Sequence, residues 1–581
     1  MALATLSWAK GYGRTTTTRC SSQSDPPGAA KKRDRAVIQK AVLGEQAVIQ
    51  RVAVEALPAE VQRQVGESPS ATSRVQELVS AALSVAERFI PLIEPRERTS
   101  RTDPRVQLQG NFAPVEESPP RAAVVTGTLP ACLNGAYVRN GGNPQFAPAA
   151  GYHYFDGDGM LHVVRIKDGA ATHSCRFTRT NRYVHEKRAG RPVFTKALGE
   201  LHGLGGLARV ALFNLRGWAG TVDLAQGMGA ANAGLEFFNG MLLAMSEDDM
   251  PYAVRVTDDG DVETSGRYNF EGALKRAMTA HPKIDPRTGE MHAFSCDWQK
   301  EPFLTYFRVT ADGTKGAEVP ITLREPNLMH DFAITENYAI FPETQMVFRL
   351  QELFNGKSPI LIDLKKVPRF GVLPRNAQSE ARMRWFELPD VMCFHYVNAW
   401  EEGEDIVLVG SINTPPPFIF DQPEDLQNRL CLFRLNMRTG LASKHQLSHE
   451  NIDIGRCNNL YTGRKTRYAY MSISGPWPRF SGIAKVDLDS GRIAGWRKCA
   501  PGCFVSEPYF VPASETKEDD GYVVTYYQDE NTGVSELLVM DAQSPTLEIV
   551  ASIHLPSRVP YGFHGTFLSE DQLASQRSSL P

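Results

Sequence analysis

From about Gln107 to Phe567 apolar and polar residues alternate in short runs broken by Gly, Asp, Asn and Pro, the pattern of β-strands joined by turns. Five stretches repeat one design: VVRIKDGAATHS, AVRVTDDGDVETSG, YFRVTADGTKGAEV, LFRLNMRTGLASKH and IAKVDLDSGRIAGW. Each has an apolar pair, a basic residue, a Val, Leu or Ile, a Gly-containing turn and a second strand. Their basic residues are Arg165, Arg255, Arg308, Arg434 and Lys485, and two of the intervals are 53 and 51 residues. A unit of about 50 residues is in the size range of a β-propeller blade. The other intervals, 90 and 126 residues, leave room for degenerate units and insertions, so the spacing is compatible with six to eight blades or with hairpins of a β-sandwich.

The N-terminal part follows a different period. In SATSRVQELVSAALSVAERFIPLIEPRER, Val75, Leu78, Val79, Ala82, Val85, Ala86 and Phe89 recur at helical spacing, Ser73 is placed to cap and Pro91 to end the regular turn. Such a helix either docks on its own protein or lies in a membrane surface, with Arg74, Arg88, Arg96 and Arg98 near head groups. An earlier, weaker helical pattern precedes it. Residues 1–35 hold many Ser and Thr and no acid before Asp25, the composition of an organelle transit peptide. The expected organisation is a transit segment at 1–35, a helical segment at 36–105 and an all-β domain at 106–575.

Composition removes several classes of function. Lys plus Arg is 63 against 66 for Asp plus Glu, so charge gives no reason to expect nucleic acid as a partner. The nine cysteines form no CxxC, which argues against a zinc knuckle or a disulfide scaffold and fits a reducing compartment. No apolar run reaches the roughly 18 residues of a membrane-spanning helix. GLGGLA (203–208) and GDG (157–159) lack the strand–turn–helix setting of a phosphate loop, and no GxSxG elbow offers a serine nucleophile.

Histidine is where chemistry concentrates. His395, in VMCFHYVNAW, has no lysine or carboxylate beside it, so its two ring nitrogens need partners from elsewhere in the chain. His281 in MTAHPKIDP, His330 in NLMHDFAI and His564 in PYGFHGTF stand in similarly compact contexts among the 13 histidines.

These four contexts, with GAYVRNGGNPQF, YFDGDGMLH, AMSEDDMPYAVRVT, HDFAITENYAIF, GRKTRYAY and LPSRVPYGFHGTF, resemble the carotenoid cleavage dioxygenases. GELHG, MSEDDMP, WPRFSGIAKVDL and SRVPYGFHGTF most resemble the plant 9-cis-epoxycarotenoid dioxygenases. The resemblance implies a seven-bladed β-propeller with a helical and loop dome over an axial Fe(II) held by His281, His330, His395 and His564. It implies carboxylates behind the ligands at Glu247, Glu507 and Asp453, the last a departure because epoxycarotenoid-cleaving members usually carry Glu there. Phe394 and Phe563, each directly before a ligand, are expected to line an apolar substrate tunnel.

The implied reaction uses O₂ to cleave the 11,12 bond of a 9-cis-epoxycarotenoid to xanthoxin and a longer apocarotenal, in a plastid and at the thylakoid membrane surface. Cleavage at 9,10 or 9′,10′ is the alternative within the family, and Asp453 favours it. A non-catalytic carotenoid- or protein-binding propeller and a lignostilbene-type cleaver of soluble phenylpropenes are the alternatives outside it.

Overall fold

The computed structural model describes residues 70–94, 101–148, 150–417, 419, 423–475 and 478–581. The expected transit segment and the first helical pattern lie outside the described residues. The described residues divide into two compact units, one within 94–207 and 226–581, the other of 70–93 with Ala208–Ala225.

The larger unit is built from antiparallel four-stranded meanders. In chain order they run over residues 234–267, 283–321, 333–387, 393–446, 452–498 and 509–554. A seventh joins the two ends of the domain: Gly565–Ser569 pairs with Gly135–Asn143, in register Tyr137↔Phe567, followed by Asp158–Lys167 and Ala170–Phe177. The C-terminal strand is thus the innermost of a blade whose other strands come from the start, which closes the ring and leaves no sheet edge open at the seam. Strand Ser118–Gly127 serves two blades, pairing Ala170–Phe177 through its first half and Ile549–His554 through its second.

Why the strands read as near-continuous apolar runs follows from the packing. Each blade is covered on both faces by its neighbours, and among the described residues seven apolar clusters are each shared by two adjacent blades. Phe294 and Tyr306 of the second blade meet Phe332 and Phe341 of the third, for example, and Val407 and Val409 of the fourth meet Met471 and Val486 of the fifth. A sandwich has one core between two sheets; a circle of shared cores is a propeller.

The five repeated stretches are the third and fourth strands of their blades, as in Tyr252–Val256 with Val262–Arg267 and Gln427–Asn436 with Ala442–Gln446. The interval of 126 residues spans the third blade, which is lengthened by a hairpin of Met346–Phe348 and Ile360–Ile362. The interval of 90 contains helices Asn181–Ala189 and Gly203–Trp218.

In the smaller unit, helix Ser70–Glu87 begins three residues before the expected cap, so Ser73 lies inside it. A 3-10 turn at Ile90–Leu92, with Pro91 within it, follows its end. Arg216 pairs with Glu87 at 2.6 Å, and Gln76 donates to the Gly220 carbonyl. Leu78, Val85, Phe89, Leu92 and Ile93 remain exposed. Among the described residues no helix is long and apolar enough to cross a membrane.

Candidate metal centre

The innermost strands of the blades surround the axis, and the four histidines stand at or just before four of them: His281 before Lys283–Ile284, His330 before Ala333–Ile334, His395 in Cys393–Glu402 and His564 before Gly565–Ser569. Residues 283 positions apart in sequence meet here because ring closure brings both ends of the domain to one axis.

Backbone contacts fix each of them. The Thr279 hydroxyl accepts from His281 N at 3.0 Å and donates to the His330 carbonyl. Asp331 accepts from Tyr396 N at 2.9 Å and pairs with Lys283 at 2.7 Å, tying the segments of His281, His330 and His395 together across three blades. Asn140 N donates to the His564 carbonyl at 2.9 Å, and Phe563 N to that of Asn140 at 2.8 Å. Gly562 lets this segment lie flat on the buried Arg139 guanidinium; a Cβ there would stand 2.6 Å from Arg139 Cζ.

The rings converge. His330 Nε2 lies 3.0 Å from His281 Nε2 and 3.1 Å from His395 Nε2, and one ligand atom from each of the four histidines falls within 4.8 Å of all the others. Imidazole nitrogens about 2.1 Å from a common ion stand about 3.0 Å apart when adjacent, so these edges fit one first-row cation. Protonation supports the same conclusion. Burial, then the neighbouring imidazoles, hold the His281 and His395 pKa values well below the ordinary histidine value, so both are neutral. At His330 and His564 the Nδ1 atom faces a carboxylate, which leaves the Nε2 lone pair directed at the neighbouring imidazoles, an arrangement that a cation between them satisfies. The four histidines therefore form a group able to hold a metal ion.

Two carboxylates stand behind it. Glu507 accepts from His564 Nδ1 at 2.9 Å, from Gly565 N at 3.0 Å and from Arg456 Nε at 2.8 Å. Glu247 Oε1 lies 2.5 Å from His330 Nδ1. Burial raises both carboxyl pKa values, but Arg456 and His564 at Glu507, and His330 at Glu247, more than reverse it, leaving each at about 2. The acids flanking Glu247 are otherwise engaged: Asp248 accepts from Ser246, and Asp249 pairs with Arg267.

Asp453 stands on the inner strand Ile452–Arg456. It does not accept directly from a ligand imidazole: its carboxylate is taken by Asn413 Nδ2 at 3.1 Å, and His395 Nδ1 has no hydrogen-bond partner among the described residues. The side chain is one methylene shorter than Glu, and Asn413, whose Oδ1 accepts from Phe394 N at 3.1 Å, takes the carboxylate instead. Burial pushes its pKa up to about 6. A raised carboxyl pKa stabilises the fold while protonated, and that contribution is lost as pH rises through about 6. The metal-free protein should therefore lose up to about 3 kcal/mol from this residue as pH rises from about 3 to about 7, roughly half of it above pH 5, and Asp453→Asn should remove that part of the slope in urea titrations.

Phe394 and Phe563 meet across the histidines through a residue that sequence reasoning did not single out. Phe155 has its ring 5.2 Å from Phe563 and 6.5 Å from Phe394, and Phe394 is 4.5 Å from the His330 ring. All three phenylalanines are half-buried. Phe155 lies in YFDGDG, a motif whose glycines and acids draw attention away from the aromatic.

Comparison with known proteins agrees with this geometry. A family model described as retinal pigment epithelial membrane protein matches residues 112–569. The 9-cis-epoxycarotenoid dioxygenase NCED6, chloroplastic, of Arabidopsis thaliana is 46% identical over 513 residues, covering 86% of this chain and 88% of that one. The carotenoid 9,10(9′,10′)-cleavage dioxygenase 1 of Phaseolus vulgaris is 44% identical, covering 81% and 91%. Among solved structures, the lignostilbene dioxygenase of Pseudomonas brassicacearum matches with a TM-score of 0.70 at 25% identity, covering 80% of this chain and 98% of that one. The propeller, its axial histidines and these likenesses together place the chain in the retinal pigment epithelial membrane protein family, that of the carotenoid cleavage dioxygenases.

Proposed function

We propose that the protein is a plastid non-heme Fe(II) dioxygenase that cleaves the 11,12 double bond of a 9-cis-epoxycarotenoid, 9-cis-violaxanthin or 9′-cis-neoxanthin, to xanthoxin and a C25 apocarotenal in abscisic acid biosynthesis. The observation that carries the reading is the convergence of His281, His330, His395 and His564 on one point of the axis. The substrate choice is supported by the 46% identity to the Arabidopsis 9-cis-epoxycarotenoid dioxygenase.

When bound, a ferrous ion supplies the open coordination positions and redox capacity for O₂ that no side chain here provides. Neutral imidazoles leave its charge undiminished, and Glu247 and Glu507 hold the Nδ1 protons of His330 and His564, orienting both rings. Phe155, Phe394 and Phe563 offer apolar surface to a polyene whose only polar groups are at its ends, and exclude water from the bond to be cleaved. Each carbon of that bond takes one oxygen atom of O₂, so both products are carbonyls and no organic reductant is needed.

Asp453 gives the 9,10(9′,10′) reading its support, together with the Phaseolus relative. Aerobic incubation of the iron-loaded protein with cis and all-trans epoxycarotenoids separates the two by mass analysis. A C15 aldehyde from the cis isomer alone is expected; C13 ketones would overturn the 11,12 assignment. Contact with the thylakoid surface is supported by the exposure of Phe89 and Leu92 beyond helix Ser70–Glu87. With substrate supplied in lipid vesicles, removing residues 71–98 should slow the reaction, while the rate on detergent-dispersed substrate stays unchanged.

A further inference from the structure

On the axis, away from the three phenylalanines, the histidines border a second space of different character. A cavity of about 240 Å³ touches His281, His395 and His564 and extends along the inner strands to Pro286 and Asn459, both exposed at the surface. Its lining is charged. Lys283 is paired with Asp331 and Arg456 with Glu507, so these four cancel. Glu236, on the inner strand Gly234–Phe238, also lines the cavity, and its carboxylate has no hydrogen-bond or ion-pair partner among the described residues. One uncompensated negative charge therefore faces the space between the surface and the histidines. Burial raises the Glu236 pKa to about 6, with Arg456 and Lys283 opposing, so it is ionised at neutral pH.

We propose that this axial cavity is the route by which the metal reaches its ligands: a hydrated divalent cation enters beside Pro286 and Asn459 and is drawn to the histidines by Glu236. The inference rests on the reading that the four histidines hold a metal. Size permits it, since 240 Å³ accommodates about eight waters at about 30 Å³ each, more than the six that surround a hexahydrated ion. The opposite side does not permit it equally, because a hydrated dication passing Phe155, Phe394 and Phe563 would shed water against rings that return no hydrogen bond. Clefts lined by one sign of charge change association rates by about 10 to 1,000-fold, and a single net carboxylate on a protein-walled passage belongs at the low end of that range.

The test is cobalt(II) uptake by chelator-stripped protein, followed by visible absorbance in a rapid-mixing experiment and closed by metal analysis. The unaltered protein should bind one ion per chain. Glu236→Gln should bind the same amount about tenfold more slowly, with a rate less sensitive to salt, and Glu236→Asp should load nearly as fast as the unaltered protein. Thr462→Trp, at the cavity wall and remote in sequence from every histidine, should also slow uptake. Unchanged rates in Glu236→Gln and Thr462→Trp would overturn the route. Reduced stoichiometry at an unchanged rate in Glu236→Gln would overturn it too, assigning Glu236 to the bound ion rather than to its entry. Failure of the unaltered protein to bind cobalt would overturn the metal-holding reading itself, and the route with it.

Discussion

His330→Ala is expected to reduce metal content at stoichiometric loading to less than about a tenth of an ion per chain and cleavage by at least about 1,000-fold, some 4 kcal/mol of transition-state stabilisation. The magnitude follows from its place in the group. Its Nε2 is the atom within 3.1 Å of two other ligand nitrogens, so its loss opens two edges of the coordination polyhedron at once. The substitution also strands Glu247, whose carboxylate is held near pKa 2 by this imidazole and would otherwise be raised by burial. An uncompensated carboxylate beside the remaining ligands either takes a proton or moves toward the ion, and neither restores the neutral four-imidazole set. Metal analysis alongside product quantification checks the expectation. Full metal content with a lost rate would mean that three histidines suffice to hold the ion, and full content with an undiminished rate would remove His330 from the centre.

The all-β class and the unit of about 50 residues were legible because strand alternation and Gly-containing turns are local signals. What the repeats could not give was blade count. The third blade carries a hairpin insertion within it, and the sixth, whose outer strands are Val534–Asp541 and Ile549–His554, has neither the basic residue nor the turn glycine of the other repeats. The seam between residues 135–143 and 565–569 is equally silent in sequence, since nothing local marks a strand as pairing with one more than 400 residues away. The four histidines could be singled out by context and by family resemblance, but their convergence is a property of the closed ring. Glu507 and Glu247 followed from the resemblance alone. Asp453 shows what position alone leaves open: the residue stands on the inner strand, and its carboxylate accepts from Asn413 with no direct contact to His395 Nδ1, a detail that depends on side-chain length and on the neighbouring strand. Arg456, Lys283 and Glu236 were missed because isolated charges in strands look like solvated surface until the axis gives them a common cavity.

Glu507→Gln should separate two consequences that share one residue. Glu507 is 4% exposed and takes hydrogen bonds from His564, Gly565 and Arg456, so it both orients a ligand and neutralises a half-buried guanidinium. The amide retains one acceptor oxygen but turns a donor toward Arg456, which is left as a half-buried charge without its counter-ion. Breaking a fully buried pair from one side typically costs about 3–5 kcal/mol; with Arg456 half-buried the expected loss is about 2–3 kcal/mol, visible as a lowered urea midpoint. Loss of the carboxylate behind a ligating imidazole typically weakens metal binding about 10 to 100-fold, measured by competition with a chelator. Adding Arg456→Met to this variant removes the stranded charge, so most of the lost stability should return, as replacement of both members of a buried pair by neutral groups is often tolerated. Metal affinity should not return, because His564 Nδ1 still lacks its carboxylate. If the double variant recovered both, the contribution of Glu507 would be to the fold alone; if it recovered neither, the Arg456 contact would be part of the metal centre rather than a separate support for it.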